Sequence, residues 1–299
     1  MKIIITGSLG HISKPLTIAL IQAGHDITVI SSKADKQKDI EALGATAAIG
    51  SLQDVAFLTT AFTGADAVYT MVPPANYFDH GLDLLAYYNI IGNNYAQAIR
   101  HTGVKRVVNL STFGAHLEKG SGILLGAHNV EEILNQLPSN VAITHMRPTS
   151  FFYNLYGYVD MIKSLGFIAA NYGTDSLIPW VSPTDIAAAV AEEITMPTNG
   201  RNIRYVASEE LTGNQTASIL GQAIGRPHLE WKLITSEQSK AGLEAIGINP
   251  TIAAGMVEMY GALQSGLLAE DYNRNKPAVM GKVKLTDFAK EFADNFNKK

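Results

Sequence analysis

The stretch "TGSLGHISKPL", residues 6–16, follows the apolar run Lys2-Ile3-Ile4-Ile5 and has the composition of a turn that can receive phosphate. Gly7 permits a tight turn and Gly10 lets a pyrophosphate approach the backbone. The N–H groups of Leu9, Gly10, His11 and Ile12 lead into a helix whose free end favours an anion. A third glycine belongs at position 13 in this pattern, for close packing of helix on strand; Ser13 stands there, and its side chain is small. Pro15 falls in the first helical turn, where its missing N–H costs little. A Walker A loop is excluded, because Ile12 occupies the site of the glycine that would precede Lys14.

A second group of residues bears on which dinucleotide would fit. An NAD site places an acid about 20 residues past the glycines, on the ribose 2′-hydroxyl. Here the second apolar run ends Ile30-Ser31-Ser32-Lys33, with no carboxylate. Hydroxyls with a cation suit a 2′-phosphate, so NADP(H) is expected over NAD(H). Asp54, after Ser51-Leu52-Gln53, has two readings: an adenine contact or the cap of the next helix.

His128 and Glu131 or Glu132 lie on one face of a helical stretch, a spacing that serves either a ligand or a solvated surface. The eight histidines show no metal-binding spacing, and no metal site is expected. Ser111 lacks a Gly-x-Ser-x-Gly elbow, which argues against a hydrolase. Aromatic residues recur after the apolar runs: Tyr77 and Phe78, then Phe113, then Phe151, Phe152 and Tyr153, with Asn154 as a polar neighbour. Such a wall suits a flat, apolar substrate, although aromatics are also ordinary core material.

These residues need a scaffold, and the rhythm of the first half supplies one. Apolar runs at 3–5, 27–30, 45–49, 67–72, 106–110 and 141–146 alternate with helical patterns at 12–23, 34–43, 54–62, 79–101 and 127–137. Continuous β-branched runs joined by helices predict a doubly wound α/β domain with a parallel sheet buried on both faces. Ligands bind at the carboxyl ends of such strands. After Arg147 the alternation loosens. Helices are expected at 156–165, 214–224 and 251–269, strands in "GRNIRYVAS" and "HLEWKLIT", and a docked stripe of Phe288, Phe292 and Phe296 in the tail.

With "TMVPP", "VVNLSTFGAH", "GAHNVEEIL", "THMRPTSFFYNL" and "IPWVSPTDIAAAVAEEI" added to the glycine turn, most of the chain resembles the NmrA-like atypical short-chain dehydrogenases. The resemblance implies a Rossmann domain over residues 1–155, with 180–206 returning to its sheet, and a smaller α/β substrate domain over 156–299. It places Val72, Pro73, Pro74 and Pro148 beside the cofactor. It assigns Ser111 to the catalytic serine at the end of the fifth strand, donating to the substrate oxygen, and His128 to the position of the lysine in Tyr-x-x-x-Lys, as a cofactor-ribose or substrate contact and a catalytic proton source. Leu124 stands where that tyrosine would be. The one Tyr-x-x-x-Lys in the chain, Tyr272 and Lys276, lies in a turn-like stretch far beyond the sixth strand and is set aside.

Such families hold NADPH-dependent reductases of quinones or aromatic dyes, and NADP-binding redox sensors that act through protein partners. The aromatic loops favour the reductase, with a small quinone-like substrate. The net charge of −4 without a basic run gives no footprint for nucleic acid. Without an apolar run of about 18 residues no membrane span is expected. The short apolar N-terminus and the absence of cysteine fit a cytoplasmic protein; homodimerisation is left open.

Overall fold

A computed structural model describes residues 1–298. In chain order the first half runs β1 (Lys2–Ile5), α1 (Ser13–Gln22), β2 (Asp26–Ser31), α2 (Gln37–Ala42), β3 (Thr46–Ile49), α3 (Val55–Phe62), β4 (Ala67–Thr70), α4 (Leu84–Thr102), β5 (Arg106–Leu110), α5 (Leu125–Asn135) and β6 (Ala142–Pro148). The second half continues β7 (Ser150–Phe151), α6 (Val159–Leu165), β8 (Ile168–Ala170), β9 (Leu177–Val181), α7 (Pro183–Thr195), β10 (Arg201–Val206), β11 (Glu209–Thr212), α8 (Gly213–Ala223), β12 (Trp231–Leu233), α9 (Ser236–Ala245), α10 (Pro250–Gln264), α11 (Ala269–Arg274) and α12 (Leu285–Asn297).

Seven strands form one parallel sheet, in the order β10-β6-β5-β4-β1-β2-β3. Both faces of its central strands are covered, which is why β1, β2 and β4 read as apolar runs, whereas the edge strand β10 is polar and partly exposed. On one face Ile3, Ile5, Tyr69, Val108 and Met146 pack with Leu16 and Leu20 of α1 and Ile186 and Val190 of α7. On the other, Ile4, Val68, Val107 and Ile143 pack with Leu58 of α3, Tyr95 and Ile99 of α4 and Val130 of α5. The order reverses between β1 and β4, so the crevice for a ligand opens above that switch point.

The chain then builds a second core around Phe152, Trp180, Trp231, Leu220 and Phe292. β9 lies in a separate sheet with β7 and β11, whereas α7 and β10 rejoin the parallel sheet. In α12, Phe288 stacks on Phe152 at 5.6 Å and Phe292 on Tyr156 at 5.9 Å, so the tail docks its aromatic stripe.

Several expected helices change their bounds for local reasons. The helix expected from Asp79 starts at Leu84, because Asp79 accepts the Gly81 N–H at 2.9 Å in a turn and Asp83 caps α4. The helix expected over 251–269 stops at Gln264, where Gly266 adopts φ +83°. The pattern at 34–43 and that at 156–165 each begin with a 3₁₀ turn.

A polar chain crosses the core beneath β5. Thr70 donates to Asn109 at 3.0 Å, Asn109 Nδ2 donates to His145 Nδ1 at 3.1 Å, and His145 Nε2–H donates to Asn135 Oδ1 at 3.1 Å. The Asn109 donor requires an unprotonated Nδ1 and hence the neutral imidazole, and burial lowers its pKa, with Arg147 and Arg201 adding to the effect and Glu131 and Glu132 opposing it. The unfolded chain binds this proton near pH 6.5 and the folded chain resists it. Stability is therefore full above that pH and falls below it, by up to about 1.4 kcal/mol per pH unit from this residue. Acid denaturation followed by circular dichroism should show that slope between pH 6.5 and 5, and His145→Gln should flatten it by one proton.

Candidate functional site

The glycine turn sits where β1 feeds α1, as its residues require. Gly7 has φ +91°, and a Cβ there would lie 2.6 Å from Ser13 Oγ. Ser13 is buried, and its hydroxyl donates to the Thr6 carbonyl at 2.9 Å. The serine thus fastens α1 to the end of β1 from below, leaving the outer face of the turn open. A Cβ at Gly10 would stand 3.1 Å from the Gly7 carbonyl, so that position has no room for a side chain without a shift. No side chain caps α1 and no acid lies in its first turn, which leaves the helix end to an outside anion.

A cleft of about 620 Å³ opens here, lined by Gly7, Ser8, Leu9 and Gly10, by Ser31, Ser32 and Lys33, and by Lys14, Lys36 and Asp39. Lys36 pairs with Asp39 at 3.0 Å, while Lys14 and Lys33 have no ion-pair partner among the described residues. Ser31 lines the cleft, but its hydroxyl is engaged within the protein. It accepts from Ser8 Oγ at 3.0 Å and from Lys33 N at 3.2 Å, so it shapes the loop while Ser32 and Lys33 stand exposed. Lys14 and Lys36 were not singled out from the sequence; Lys14 stands only four residues past Gly10, and Lys36 reaches the cleft through the 3₁₀ turn. His11 is exposed and its ring stacks on Tyr153 at 4.9 Å, whereas the Ile12 side chain is buried under the turn.

Asp54 is the cap of α3, accepting from Ala56 N at 2.9 Å and Phe57 N at 3.1 Å. It does not line the cleft.

At the other end of the crevice, Val72 and Pro73 are half-buried and Pro74 is exposed in the loop after β4. Asn249, buried at the start of α10, holds that loop: its N–H donates to Tyr77 O at 2.9 Å and its Nδ2 to Asp79 O at 3.0 Å. Tyr77 is half-buried there, but Phe78 is 57% exposed and leans toward Gly247. Tyr153 packs against Phe151 at 5.1 Å, and burial with Tyr77 nearby pushes its phenol up to about 12. Burial raises the phenols of Tyr77 and Tyr88 as well. Two aromatic expectations are corrected. Phe113 and Phe152 are buried in the second core, the first edge-on to Tyr272 and the second stacked on Phe288 and Trp180, so their rings serve packing. Asn154 is exposed, and Pro148 is a buried strand residue whose carbonyl accepts Phe113 N–H.

Ser111 is the first residue past β5, and its N–H continues the ladder to Met146 O at 2.8 Å. Its hydroxyl donates to Glu131 Oε1. Glu131 is held two-pronged by Arg147, Nε to Oε1 at 2.9 Å and Nη2 to Oε2 at 2.6 Å. Arg147 also donates to Asp271 at 3.0 Å, which accepts the Tyr205 hydroxyl at 2.6 Å. The spacing His128–Glu131 was legible, but not the partners: His128 Nδ1–H donates to the Ala115 carbonyl at 2.9 Å, leaving Nε2 as its free nitrogen. Leu124 lies in the 3₁₀ turn before α5. Tyr272 is helical, in α11, and fully buried, and Lys276 pairs with Glu210 at 2.6 Å.

A parallel sheet of order 3-2-1-4-5-6 with a glycine turn and an open helix end above its switch point defines a Rossmann-type α/β protein. The chain belongs to the NmrA-like family, whose pattern it matches over residues 1–286. It is 26% identical to the NAD(P)H azoreductase of Xenophilus azovorans over 297 residues, 98% of this chain and 99% of that one. It is also 24% identical over 226 residues to a (4-alkanoyl-5-oxo-2,5-dihydrofuran-3-yl)methyl phosphate reductase of Streptomyces griseus, covering 75% of this chain and 74% of that one. Among solved structures, the NADPH-dependent quinone oxidoreductase QOR2 of Escherichia coli complexed with NADPH superposes with a TM-score of 0.81 at 18% identity, over 97% of this chain and 99% of that one. The triphenylmethane reductase of Citrobacter sp. complexed with NADP(H) gives 0.79 at 18% identity, with the same coverage. These likenesses establish the fold.

Ser13→Gly removes the bond to Thr6 and places glycine in the first turn of α1, which together should cost about 1–2 kcal/mol. Urea denaturation should read this as a lowered midpoint with an unchanged slope; an unchanged midpoint would mean that the hydroxyl fastens nothing.

Proposed function

We propose that this protein is an NADPH-dependent reductase of quinone-like or other electron-poor aromatic small molecules. The observation that carries the reading is the cleft at the glycine turn, where Lys14 and Lys33 stand without carboxylate partners beside Ser32 and an uncapped helix end. Anions fit those groups: the pyrophosphate on the turn and α1, the 2′-phosphate on Lys33 and Ser32. The azoreductase relative, similar along its whole length, supports the same reaction class. In this reading residues 1–155 with α7 and β10 hold the dinucleotide, and the rest of 156–299 covers its ring end.

When bound, the nicotinamide supplies hydride. The chain's own residues do the rest. Tyr77 and Tyr153 offer flat, neutral faces for an aromatic ring, and the Asn249 bonds keep the Tyr77 loop in place. Ser111, its proton on Glu131, does not donate to a substrate oxygen as arranged. His128 keeps Nδ1–H on Ala115 and has Nε2 free, so Nε2 is the atom that takes a proton from solvent and passes it to the reduced product. Such acceptors take hydride readily, so alignment of the two rings supplies most of the rate.

NADPH should bind at least about tenfold more tightly than NADH, and Lys33→Ala should shrink that gap by about tenfold, or about 1.4 kcal/mol. Fluorescence titration checks both, and equal curves for the two dinucleotides would overturn the preference. A screen of simple quinones, azo dyes and triphenylmethane dyes followed by NADPH absorbance should show turnover, with His128→Ala slower. Firm binding of NADPH with silence across the screen would overturn the reductase and leave the sensor.

A further inference from the structure

Ser111 has one proton, and the structure turns it inward. Its backbone is fixed by the ladder to β6, and its hydroxyl donates to Glu131 Oε1. Both Glu131 oxygens accept from the Arg147 guanidinium, so toward Ser111 the carboxylate serves as an acceptor. The hydroxyl oxygen keeps its lone pairs for any other partner. The lysine-rimmed cleft lies at β1, β2 and α2, so a dinucleotide whose phosphates occupy it carries its ring end across the switch point, toward β4 and β5. Ser111 is the first residue past β5.

We propose that Glu131, anchored by Arg147, is a positioning residue that makes Ser111 a hydrogen-bond acceptor for the carboxamide NH₂ of the nicotinamide. This rests on the dinucleotide reading given above. A substrate oxygen that gains negative charge would meet lone pairs at Ser111, with the Glu131 carboxylate behind them, and would be repelled. An amide N–H is the donor that this polarity suits, and holding it orients the ring.

Binding of NADP⁺ and of its 3-acetylpyridine analogue, in which a methyl replaces the NH₂, tests the assignment without requiring turnover. The native protein should prefer NADP⁺ by roughly five- to tenfold, the worth of one hydrogen bond. Ser111→Ala should bind the two equally. Glu131→Gln should also lose the preference, because its own NH₂ can donate to Ser111 and turn the serine's proton outward. Glu131→Asp, which keeps the charge for Arg147 but withdraws the carboxylate from Ser111, should do the same if the glutamine variant does not fold. Asp271→Asn removes the other carboxylate on Arg147; it should lower Tm and leave the preference intact, which a merely structural role for the network would not do. Equal binding by the native protein, or a preference that survives Ser111→Ala or both Glu131 variants, would overturn this inference alone. Failure of the native protein to bind either dinucleotide would instead overturn the proposed function.

Discussion

The ion pair between Glu131 and Arg147 joins more of this molecule than any other polar contact described. Through it α5 is tied to β6, through Ser111 to the end of β5, and through Asp271 and Tyr205 to α11 and β10. Both side chains are almost wholly removed from water, at 4% and 5% exposure. Burial alone opposes the guanidinium charge, yet the Glu131 carboxylate holds Arg147 more firmly protonated than usual. Removing one partner from such a pair leaves an uncompensated charge and costs about 3–5 kcal/mol, although the intact pair adds little to stability by itself. Its contribution is geometric. It sets the orientation of a hydroxyl at the carboxyl edge of the sheet, where a parallel α/β fold places its ligands.

The two ends of the crevice are built on different physics. At the β1–β2 end the groups are cations, hydroxyls and backbone N–H, suited to phosphates and sensitive to salt. Beyond the switch point stand Tyr77 and Tyr153, phenols that burial keeps protonated far above neutral pH. Such a wall offers ring faces and neutral O–H donors in a drier setting. The stacked pair His11–Tyr153 joins the glycine turn to the loop after β6.

The C-terminal half also bears on the parallel-sheet half through specific contacts away from the second core. Asn249 is the clearest: Oδ1 caps α10, Nδ2 and N hold the backbone at Asp79 and Tyr77, and Ile248 and Ile252 close over Leu84. The loop after β4 would otherwise be exposed and mobile, as loops at the carboxyl edge commonly are. Fastening it from the C-terminal side gives the β4 side of the crevice a fixed wall. A separate close approach accounts for glycine at 255 in α10, whose Cβ would meet the backbone and side chain of Ile123 in the turn before α5.

The parallel sheet was legible from the sequence because strands buried on both faces must be apolar throughout, and crossover helices must show the other period. That is why Ile3–Ile5, Ile27–Ile30 and Arg106–Leu110 could be placed to within a residue or two. The glycine turn was equally legible, since φ +91° at Gly7 admits few other residues. The short strands β7, β8, β9 and β11 were not foreseen, because pieces of two to five residues draw their stability from partners far along the chain. The same holds at the site. A carboxylate at 131, an arginine at 147 and a serine at 111 each have several local roles open to them, and Phe113 and Phe152 read equally well as pocket or core. Only packing decides, since the direction of a hydroxyl proton and the face an aromatic ring buries are set by neighbours that sequence spacing does not specify.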